Sequence, residues 1–246
     1  MHQISQIANR MIFVNCNVHY FYSHISIRQG HWELKEEEWR HIKALRIRNG
    51  EQVVITDGKG GALLARFELH NKVPQLIELK DLSETEAPKG LIVALPVTQD
   101  VGRIEWLIEK AVELGVEQIQ LIQTEWTESA KYSLERLNKI AVAAMKQSQR
   151  LWLPPVLETI PLNRFIELHT DRKIYFAHCH EGVKQPWKEV DCTLPCCLLI
   201  GPEGDFSQTE VQALMKANAI PVGLGEYRLR TETAALAAVA HYYLAR

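Results

Sequence analysis

The C-terminal part of the sequence alternates between apolar runs of strand length and amphipathic runs of helix length. The strand-like runs are "LIVALPV", "EQIQLIQ", "KIYFAH", "PCCLLIG" and "IPVGLG". Between the first two, apolar residues recur at helical spacing from Arg103 to Leu114, and Gly115 suits a left-handed helix end. A second amphipathic stretch follows Ser133, which can cap it. This alternation predicts an α/β domain built on a mostly parallel sheet.

The N-terminal part shows a different pattern. From Tyr20 to about Leu82, short apolar runs alternate with turn residues, and "EQVVITDGKGGALLARFEL" surrounds a glycine-rich hairpin connection. We expect a small β-barrel here, followed by the polar linker "DLSETEAPKG". The predicted division is an N-terminal extension at 1–19, a barrel domain at 20–85 and an α/β domain at 86–246.

Charge composition limits the ways in which the chain can hold nucleic acid. The 246 residues include 28 Lys and Arg against 30 Asp and Glu, a formal net charge of −2. A protein that coats nucleic acid without specificity needs an excess of positive charge, so local clusters must carry any RNA contact. One cluster is "WRHIKALRIRNG", with Arg40, Lys43, Arg46 and Arg48. A solvated basic helix face is the simpler alternative.

Several protein classes do not fit the sequence. No run of about 18 uncharged apolar residues could span a bilayer, and residues 1–18 lack the features of a secretory signal, so we expect a cytoplasmic protein. Dinucleotide-binding, P-loop and serine-hydrolase motifs are absent. Five cysteines do not resemble a disulfide framework. "HCH" at residues 178–180, with three cysteines downstream, fits no standard zinc-finger spacing, which leaves a zinc hydrolase as a remote alternative and no metal as the expectation.

The stretch "LIGPEGDFSQTE" combines a strand end, a rigid turn and a helix start. The strand ends at Ile200, and the capping box "SQTE" begins at Ser207. Ligands of open α/β sheets bind beyond the carboxyl ends of the strands. Gly201 and Gly204 would allow close backbone approach to a ligand, with Pro202 fixing the shape between them. A structural tight turn needs the same residue types and stays open as an alternative.

A second strand, loop and helix follow in "VGLGEYRLRTETAALAAVAHYYLAR". The strand ends near Leu224, and an alanine-rich helix begins near Thr231. Arg230 offers a planar, permanently charged donor for a carboxylate, phosphate or polarised carbonyl, and Glu232 suits the helix N-terminus. A surface ion pair is the alternative, and the helix itself is typical of a core or an interface. Two such units can form two walls of one pocket.

These two motifs together resemble the C-terminal motifs of the bacterial 16S ribosomal RNA uridine-N3 methyltransferases (the RsmE family), in the SPOUT, or trefoil-knot, superfamily. "EKAVELGVEQI", "AAMKQSQR" and "HIKALRIRNGEQVVITDGKG" are similar to further family motifs, so the resemblance runs from about Tyr20 to the C terminus. It implies a PUA-like N-terminal barrel that binds RNA and a C-terminal α/β knot. It also implies a homodimer with each S-adenosylmethionine pocket near the subunit contact, and 16S rRNA of the small ribosomal subunit as substrate.

The resemblance also implies roles for individual residues. Cofactor contacts would come from Ala177, His178, Ile200, Gly201, Pro202, Glu203, Gly204, Leu224, Gly225, Leu229, Thr233 and Ala234. RNA contacts would come from Arg40, Lys43, Arg46, Arg48 and Arg150. Methyl transfer is an in-line displacement, and the N3 proton of the uridine must leave. Arg230 would stabilise a uracil carbonyl oxygen as charge grows there, and Glu232 would orient that arginine or accept the proton.

Three departures from the family pattern and two alternatives stay open. Trp126 stands where relatives often carry arginine, and the loop "GEYRLR" places Glu226 and Tyr227 where relatives commonly show other residues. Residues 1 to about 18 precede the usual family start. The same fold could methylate another RNA position. A protein that retains the fold without catalysis could instead bind RNA or assist ribosome assembly.

Overall fold

The computed structural model describes residues 18–71, 73–127 and 131–246, and within these the chain forms two compact units. The first unit contains the described residues up to Ala87 together with Gln149–Trp152, and the second contains Pro88–Ser148 and Leu153–Arg246. The predicted N-terminal extension lies outside the described residues except for its last two positions. The assignment of Gln149–Trp152 to the first unit has no counterpart in the sequence pattern.

In its described residues, the first unit is a small sheet with one α-helix. Its described strands are β1 (His19–Tyr22), β2 (Gln52–Thr56), β3 (Ala62–His70) and β4 (Val73–Asp81), and its α-helix is α1 (Glu36–Ala44). These strands form a four-stranded sheet in the order β1-β2-β3-β4, parallel between β1 and β2 and antiparallel elsewhere. Its core contains Phe21, Ile27, Leu34, Ile42, Ile47, Val53, Ile55, Ala65, Phe67 and Leu76.

The predicted glycine-rich hairpin connects β2 to β3, and a buried carboxylate organises it. Asp57 accepts hydrogen bonds from the backbone N–H groups of Lys59 (2.8 Å) and Gly61 (2.9 Å) within the turn. It accepts a third from the N–H of Ile27 at 2.9 Å. A Cβ atom added at Gly61 would lie 2.4 Å from the Asp57 carboxylate, so this position requires glycine.

The segment Gln149–Trp152 packs against the same hairpin. The N–H of Gly60 donates to the carbonyl of Leu151 at 2.9 Å, and the indole N–H of Trp152 donates to Glu84 at 2.9 Å. The guanidinium of Arg28 lies 5.6 Å from the centroid of the Trp152 ring, a cation–π distance. These contacts explain why a segment flanked by second-unit residues belongs to the first unit.

The second unit is an α/β domain with a parallel sheet, as predicted. Its described strands are β5 (Leu91–Pro96), β6 (Gln118–Gln123), β7 (Val156–Pro161), β8 (Lys173–Ala177), β9 (Gln185–Pro186), β10 (Cys196–Ile200) and β11 (Ile220–Gly223). Its described α-helices are α2 (Val101–Glu113), α3 (Leu134–Gln147), α4 (Leu162–Leu168), α5 (Gln208–Lys216) and α6 (Thr231–Leu244). The strands lie in the order β7-β6-β5-β10-β8-β11-β9, and every neighbouring pair is parallel.

Burial and helix ends follow the sequence signals. Every residue of the central strands β5 and β10 is buried, as expected where helices cover both faces of a parallel sheet. The side chain of Ser133 accepts from the backbone N–H of Arg136 and caps α3, while Gly115 has a φ of 95° just beyond α2.

The alanine-rich helix α6 packs inside the chain, against β5 and α2. The buried side chains of this helix are Thr231, Glu232, Ala234, Ala235, Ala238, Val239 and Tyr242. The indole N–H of Trp187 donates to the carbonyl of Ala238 at 3.0 Å, which fixes the middle of the helix. Small side chains therefore serve close packing within this unit.

The threading of the last segment through a knot stays a prediction. In the described part of the chain, we find no helix long and apolar enough to cross a membrane.

The predicted capping box at the start of α5 is confirmed, and its removal should destabilise the fold. Ser207 accepts from the N–H of Glu210, and the Glu210 carboxylate accepts from the N–H of Ser207 at 2.8 Å. We expect Ser207→Ala to lower the free energy of unfolding by about 1 kcal/mol, because a backbone N–H of the first helical turn loses its partner. Chemical denaturation measures this, with the exposed neighbour variant Gln208→Ala as control; equal loss in both variants would contradict the role of the cap.

Candidate functional site

The structure brings the predicted strand exits to one edge of the sheet. Ala177, the last residue of β8, lies opposite Ile200 of β10 on one side and Val222 of β11 on the other. The chain continues from these strands into His178, the turn Gly201–Gly204 and the loop that begins with Leu224 and Gly225. Because the three strands are parallel and end at the same level, their loops can form one ligand site.

The turn Gly201–Gly204 is tied to the loop that follows β8. Asp205 closes the turn by donating its backbone N–H to the carbonyl of Pro202 at 2.9 Å, and it has a φ of 67°. Its carboxylate accepts from the N–H of Cys179 at 2.7 Å. The N–H of Gly201 donates to the carbonyl of Ala177 at 3.2 Å. Side-chain and backbone hydrogen bonds thus hold the two neighbouring loops together.

Contacts inside the chain leave little space for a side chain at either glycine of this turn. A Cβ atom at Gly201 would lie 2.9 Å from the Asp205 carboxylate, and one at Gly204 would lie 2.9 Å from the Cβ of Trp126. The sequence left two interpretations of these glycines open, close approach by a ligand and a structural tight turn. The contacts with Asp205 and Trp126 support the structural interpretation, while Glu203 and Gly204 remain exposed.

A buried hydrogen bond joins the turn to the last helix. The hydroxyl of Thr231 donates to the carbonyl of Gly201 at 3.0 Å, and both residues are buried. This bond places Thr233 and Ala234, in the first turn of α6, beside the strand exits. Across the loop, a guanidinium N–H of Arg228 donates to the carbonyl of Glu203 at 3.4 Å. The predicted cofactor residues from β8, β10, β11 and α6 therefore converge.

His178 adds a polar atom without a partner to this edge. Its ring stacks on Phe176 with centroids 5.1 Å apart. Among the described residues, its Nδ1 atom is buried and makes no hydrogen bond. Burial lowers the pKa of His178 below its ordinary value, and the positive charge of Lys184 lowers it further, so the imidazole is neutral at pH 7. A neutral imidazole can accept or donate one hydrogen bond to a ligand.

Two cysteines lie at the start of β10, away from the strand exits. Burial raises the pKa of the thiols of Cys196 and Cys197 to about 12. Across residues 18–71, 73–127 and 131–246, no group of three or more His, Cys, Asp or Glu side chains is arranged to hold a metal ion.

The two predicted catalytic residues line one cleft. The cleft has a volume of about 370 Å³ and is lined by Asp100, Gly102, Arg103, Trp106, Arg230, Glu232 and Thr233. The Glu232 carboxylate is nearly buried and lies 3.8 Å from the Nε of Arg103, which also lies 3.2 Å from Asp100. Arg230 is exposed and, in the part of the chain that the structure describes, forms no ion pair. Glu232 therefore pairs with Arg103, which the sequence analysis missed, rather than with Arg230.

The predicted RNA-binding residues all belong to the first unit. Arg40 and Lys43 are exposed on α1, and Arg46 and Arg48 are exposed in the loop after it. Arg150 lies in the segment Gln149–Trp152 and is half-buried. These placements agree with a local basic surface, and the RNA-binding role stays a prediction.

Comparison with known proteins identifies the family. Residues 85–242 match the sequence model of the RNA methyltransferase domain, and residues 34–72 match that of the RNA methyltransferase PUA domain. The chain belongs to the RNA methyltransferase family. The predicted family, the enzyme class and the PUA-like N-terminal unit are thereby confirmed, and the catalytic domain of the family includes the whole edge described above.

Individual relatives agree with this membership. The ribosomal RNA small subunit methyltransferase E of Aquifex aeolicus is 31% identical over 229 residues, covering 90% of this chain and 97% of that protein. A probable rRNA methyltransferase from Porphyromonas gingivalis has a TM-score of 0.83 at 30% identity, covering 93% of this chain and 98% of that one. The ribosomal RNA small subunit methyltransferase E of Neisseria gonorrhoeae, solved with S-adenosyl methionine bound, has a TM-score of 0.76 at 26% identity, covering 91% and 96%.

The Thr231 hydroxyl should contribute to the stability of this RNA methyltransferase. We expect Thr231→Val, which keeps the shape of the side chain, to lower the free energy of unfolding by about 1–3 kcal/mol, because the buried Gly201 carbonyl loses its donor. Thr231→Ser retains the donor and should lose less. Denaturant titration of the three proteins measures the difference; a valine variant as stable as the wild type would show that this bond does not hold the turn to α6.

Proposed function

We propose that this chain transfers the methyl group of S-adenosylmethionine to N3 of a uridine in the 16S rRNA of the small ribosomal subunit. The observation that carries the proposal is the convergence of three strand exits with the start of α6, joined by the bond from Thr231 to Gly201. The Neisseria gonorrhoeae relative, which shares this fold, holds S-adenosyl methionine. The named relatives act on small-subunit ribosomal RNA, which supports the same substrate class here.

The residues at the sheet edge fit such a cofactor. The exposed backbone of Glu203, Gly204 and Gly225 can hydrogen-bond to an adenine and a ribose. The unpartnered Nδ1 of His178 gives a further hydrogen-bonding position. When bound, the cofactor supplies an electrophilic methyl group on a sulfonium. Ile200, Pro202, Leu224, Leu229, Thr233 and Ala234 complete the proposed walls of the pocket.

The protein groups must handle the negative charge and the proton of the uridine. Loss of the N3 proton places charge on the two neighbouring carbonyl oxygens of uracil. We assign Arg230 to those oxygens, since its guanidinium is exposed and permanently charged. Glu232 is the proposed proton acceptor, and Arg103 holds its carboxylate in place. Arg103 is thus a positioning residue.

The proposal also includes contacts to the RNA and a second subunit. We assign the phosphate backbone of the RNA to the basic residues of the first unit, Arg40, Lys43, Arg46, Arg48 and Arg150. We also propose a homodimer that places each pocket near the subunit contact. Exposed apolar side chains on α2 and α6, among them Trp106 and Leu244, support an interface on these helices. We also assign the enzyme to the cytoplasm, because its proposed substrate is part of the ribosome.

Transfer of labelled methyl groups tests this function directly. Purified protein is incubated with labelled S-adenosylmethionine and small ribosomal subunits that lack the modification, and the product nucleoside is identified by mass spectrometry. We expect N3-methyluridine. Label in a different nucleoside would indicate another RNA position, and cofactor binding without transfer to subunits or naked RNA would contradict the proposed reaction.

Substitution at Arg230 and Glu232 tests their assigned roles. We expect Arg230→Ala to lower kcat by roughly a hundredfold to a thousandfold, because a donor to the developing oxyanion is lost. Arg230→Lys keeps the charge and should recover part of this loss. Glu232→Gln removes the proton acceptor and should also reduce kcat. Calorimetry should find unchanged cofactor affinity in all three; near-normal turnover in both Arg230→Ala and Glu232→Gln would show that neither assignment is correct.

A further inference from the structure

Trp126 is a large aromatic side chain held exposed on a closed turn. Trp126 is 54% exposed, although burying a tryptophan stabilises a fold more than burying most other side chains. The turn is closed by Thr124 and Thr127: the N–H of Thr124 donates to the Thr127 hydroxyl at 3.0 Å, and the N–H of Thr127 donates to the Thr124 carbonyl at 3.2 Å. The exposure of Trp126 is therefore set by a hydrogen-bonded backbone.

The same turn is fastened to the proposed cofactor pocket. The Glu210 carboxylate accepts from the N–H of Ser207 with one oxygen and from the N–H of Glu125 with the other, each at 2.8 Å. The Cβ and Cγ atoms of Trp126 lie 2.9 Å and 3.4 Å from the position that a Cβ at Gly204 would take. Trp126 thus stands directly on the turn Gly201–Gly204, with its ring turned partly to solvent.

The surroundings of the indole favour a nucleic-acid ligand. Arg228 contacts the carbonyl of Glu203, the neighbour of Gly204, and its guanidinium is exposed. Tyr227, beside it in the sequence, is 84% exposed. Exposed aromatic rings next to a cation are the combination that binds single-stranded nucleic acid, with rings stacking on bases and cations meeting phosphates. A purely apolar protein partner would not use the charge of Arg228.

We propose that the indole of Trp126 stacks on an unpaired RNA base that flanks the methylated uridine. This inference rests on the proposed function, because it takes the RNA substrate as the ligand and the turn Gly201–Gly204 as the wall of the cofactor pocket. Trp126 positions the RNA strand and touches no reacting atom. Its fixed turn means that little conformational entropy is lost when a base stacks on it.

Two variants of Trp126 test the stacking role. The measurements are the affinity for a fluorescently labelled single-stranded RNA fragment that spans the methylated uridine, the affinity for S-adenosylmethionine, and kcat and KM for methyl transfer. Trp126→Ala should weaken RNA binding roughly fivefold to 150-fold, the range that loss of one base stack produces. Trp126→Phe keeps an aromatic face and should stay within about threefold of the wild type. Cofactor affinity should not change in either.

A matched control removes exposed apolar surface elsewhere on the same unit. Leu168, at the end of α4, is 50% exposed, and it precedes β8 and so lies toward the edge of the sheet opposite the strand exits. Leu168→Ala should bind RNA like the wild type. A loss of RNA affinity in this control equal to that of Trp126→Ala would overturn the specific role of the indole.

Abasic nucleotides locate the stacked base. Replacing one flanking nucleotide at a time with an abasic one should weaken binding to the wild type at the stacking position and leave binding to Trp126→Ala unchanged there. This non-additivity identifies direct contact between the two groups. Additive losses at every flanking position would overturn the proposal.

Further results would overturn the proposal that Trp126 stacks on an RNA base. Unchanged RNA affinity in Trp126→Ala would overturn the stacking role, and an equal loss of cofactor affinity would show that Trp126 only supports the turn. A change of oligomeric state in this variant would assign the indole to a second copy of the chain. A wild type that transfers no methyl group overturns the proposed function itself, whereas an active wild type with an unimpaired alanine variant overturns only the stacking role.

Discussion

The register of three parallel strands determines where every proposed functional group lies. Ala177 at the end of β8 pairs with Ile200 of β10 and Val222 of β11, so the three strands end at one level of the sheet. A shift of one residue in either pairing would send each strand's side chains to the opposite face and displace its loop. Complete burial of β10 makes such a shift costly. Core packing of these strands therefore fixes where the loops of the site lie, independently of contacts between the side chains of the site.

Side-chain hydrogen bonds then join the loops that the sheet has brought together. Asp205 links its turn to the loop after β8, Thr231 links that turn to α6, and Glu210 links it to the turn that carries Trp126. Each bond spans elements far apart in sequence, so the loss of one partner leaves a backbone group of another loop unsatisfied. The site is thus held by bonds between loops, and its exposed backbone stays free for a ligand.

Local sequence signals predicted the elements but not the contacts between them. The capping box at Ser207, the cap at Ser133, the hairpin after β2 and the glycine beyond α2 were all predictable, because each depends on residues within a few positions of one another. The packing of Gly204 under Trp126 and the inclusion of Gln149–Trp152 in the first unit were not, because they depend on distant segments. The strand–loop–helix pattern pointed to Gly201, Gly204, Arg230 and Glu232, the family resemblance added the other candidate site residues, and the structure supplied their neighbours.

Arg230 and Glu232 at the start of α6 line the same cleft, but Arg230 is exposed and Glu232 is nearly buried. Arg230 is the N-cap residue, with extended backbone angles of φ −71° and ψ 156°, whereas Glu232 is already in the first helical turn. Residues two positions apart on a helix do not face each other, so the adjacent opposite charges do not neutralise one another. Glu232 instead turns inward to Arg103, which offsets the cost of burying a carboxylate. Arg230 is exposed, lines the same cleft and forms no ion pair among the described residues, so its guanidinium is free for the oxyanion contact proposed above.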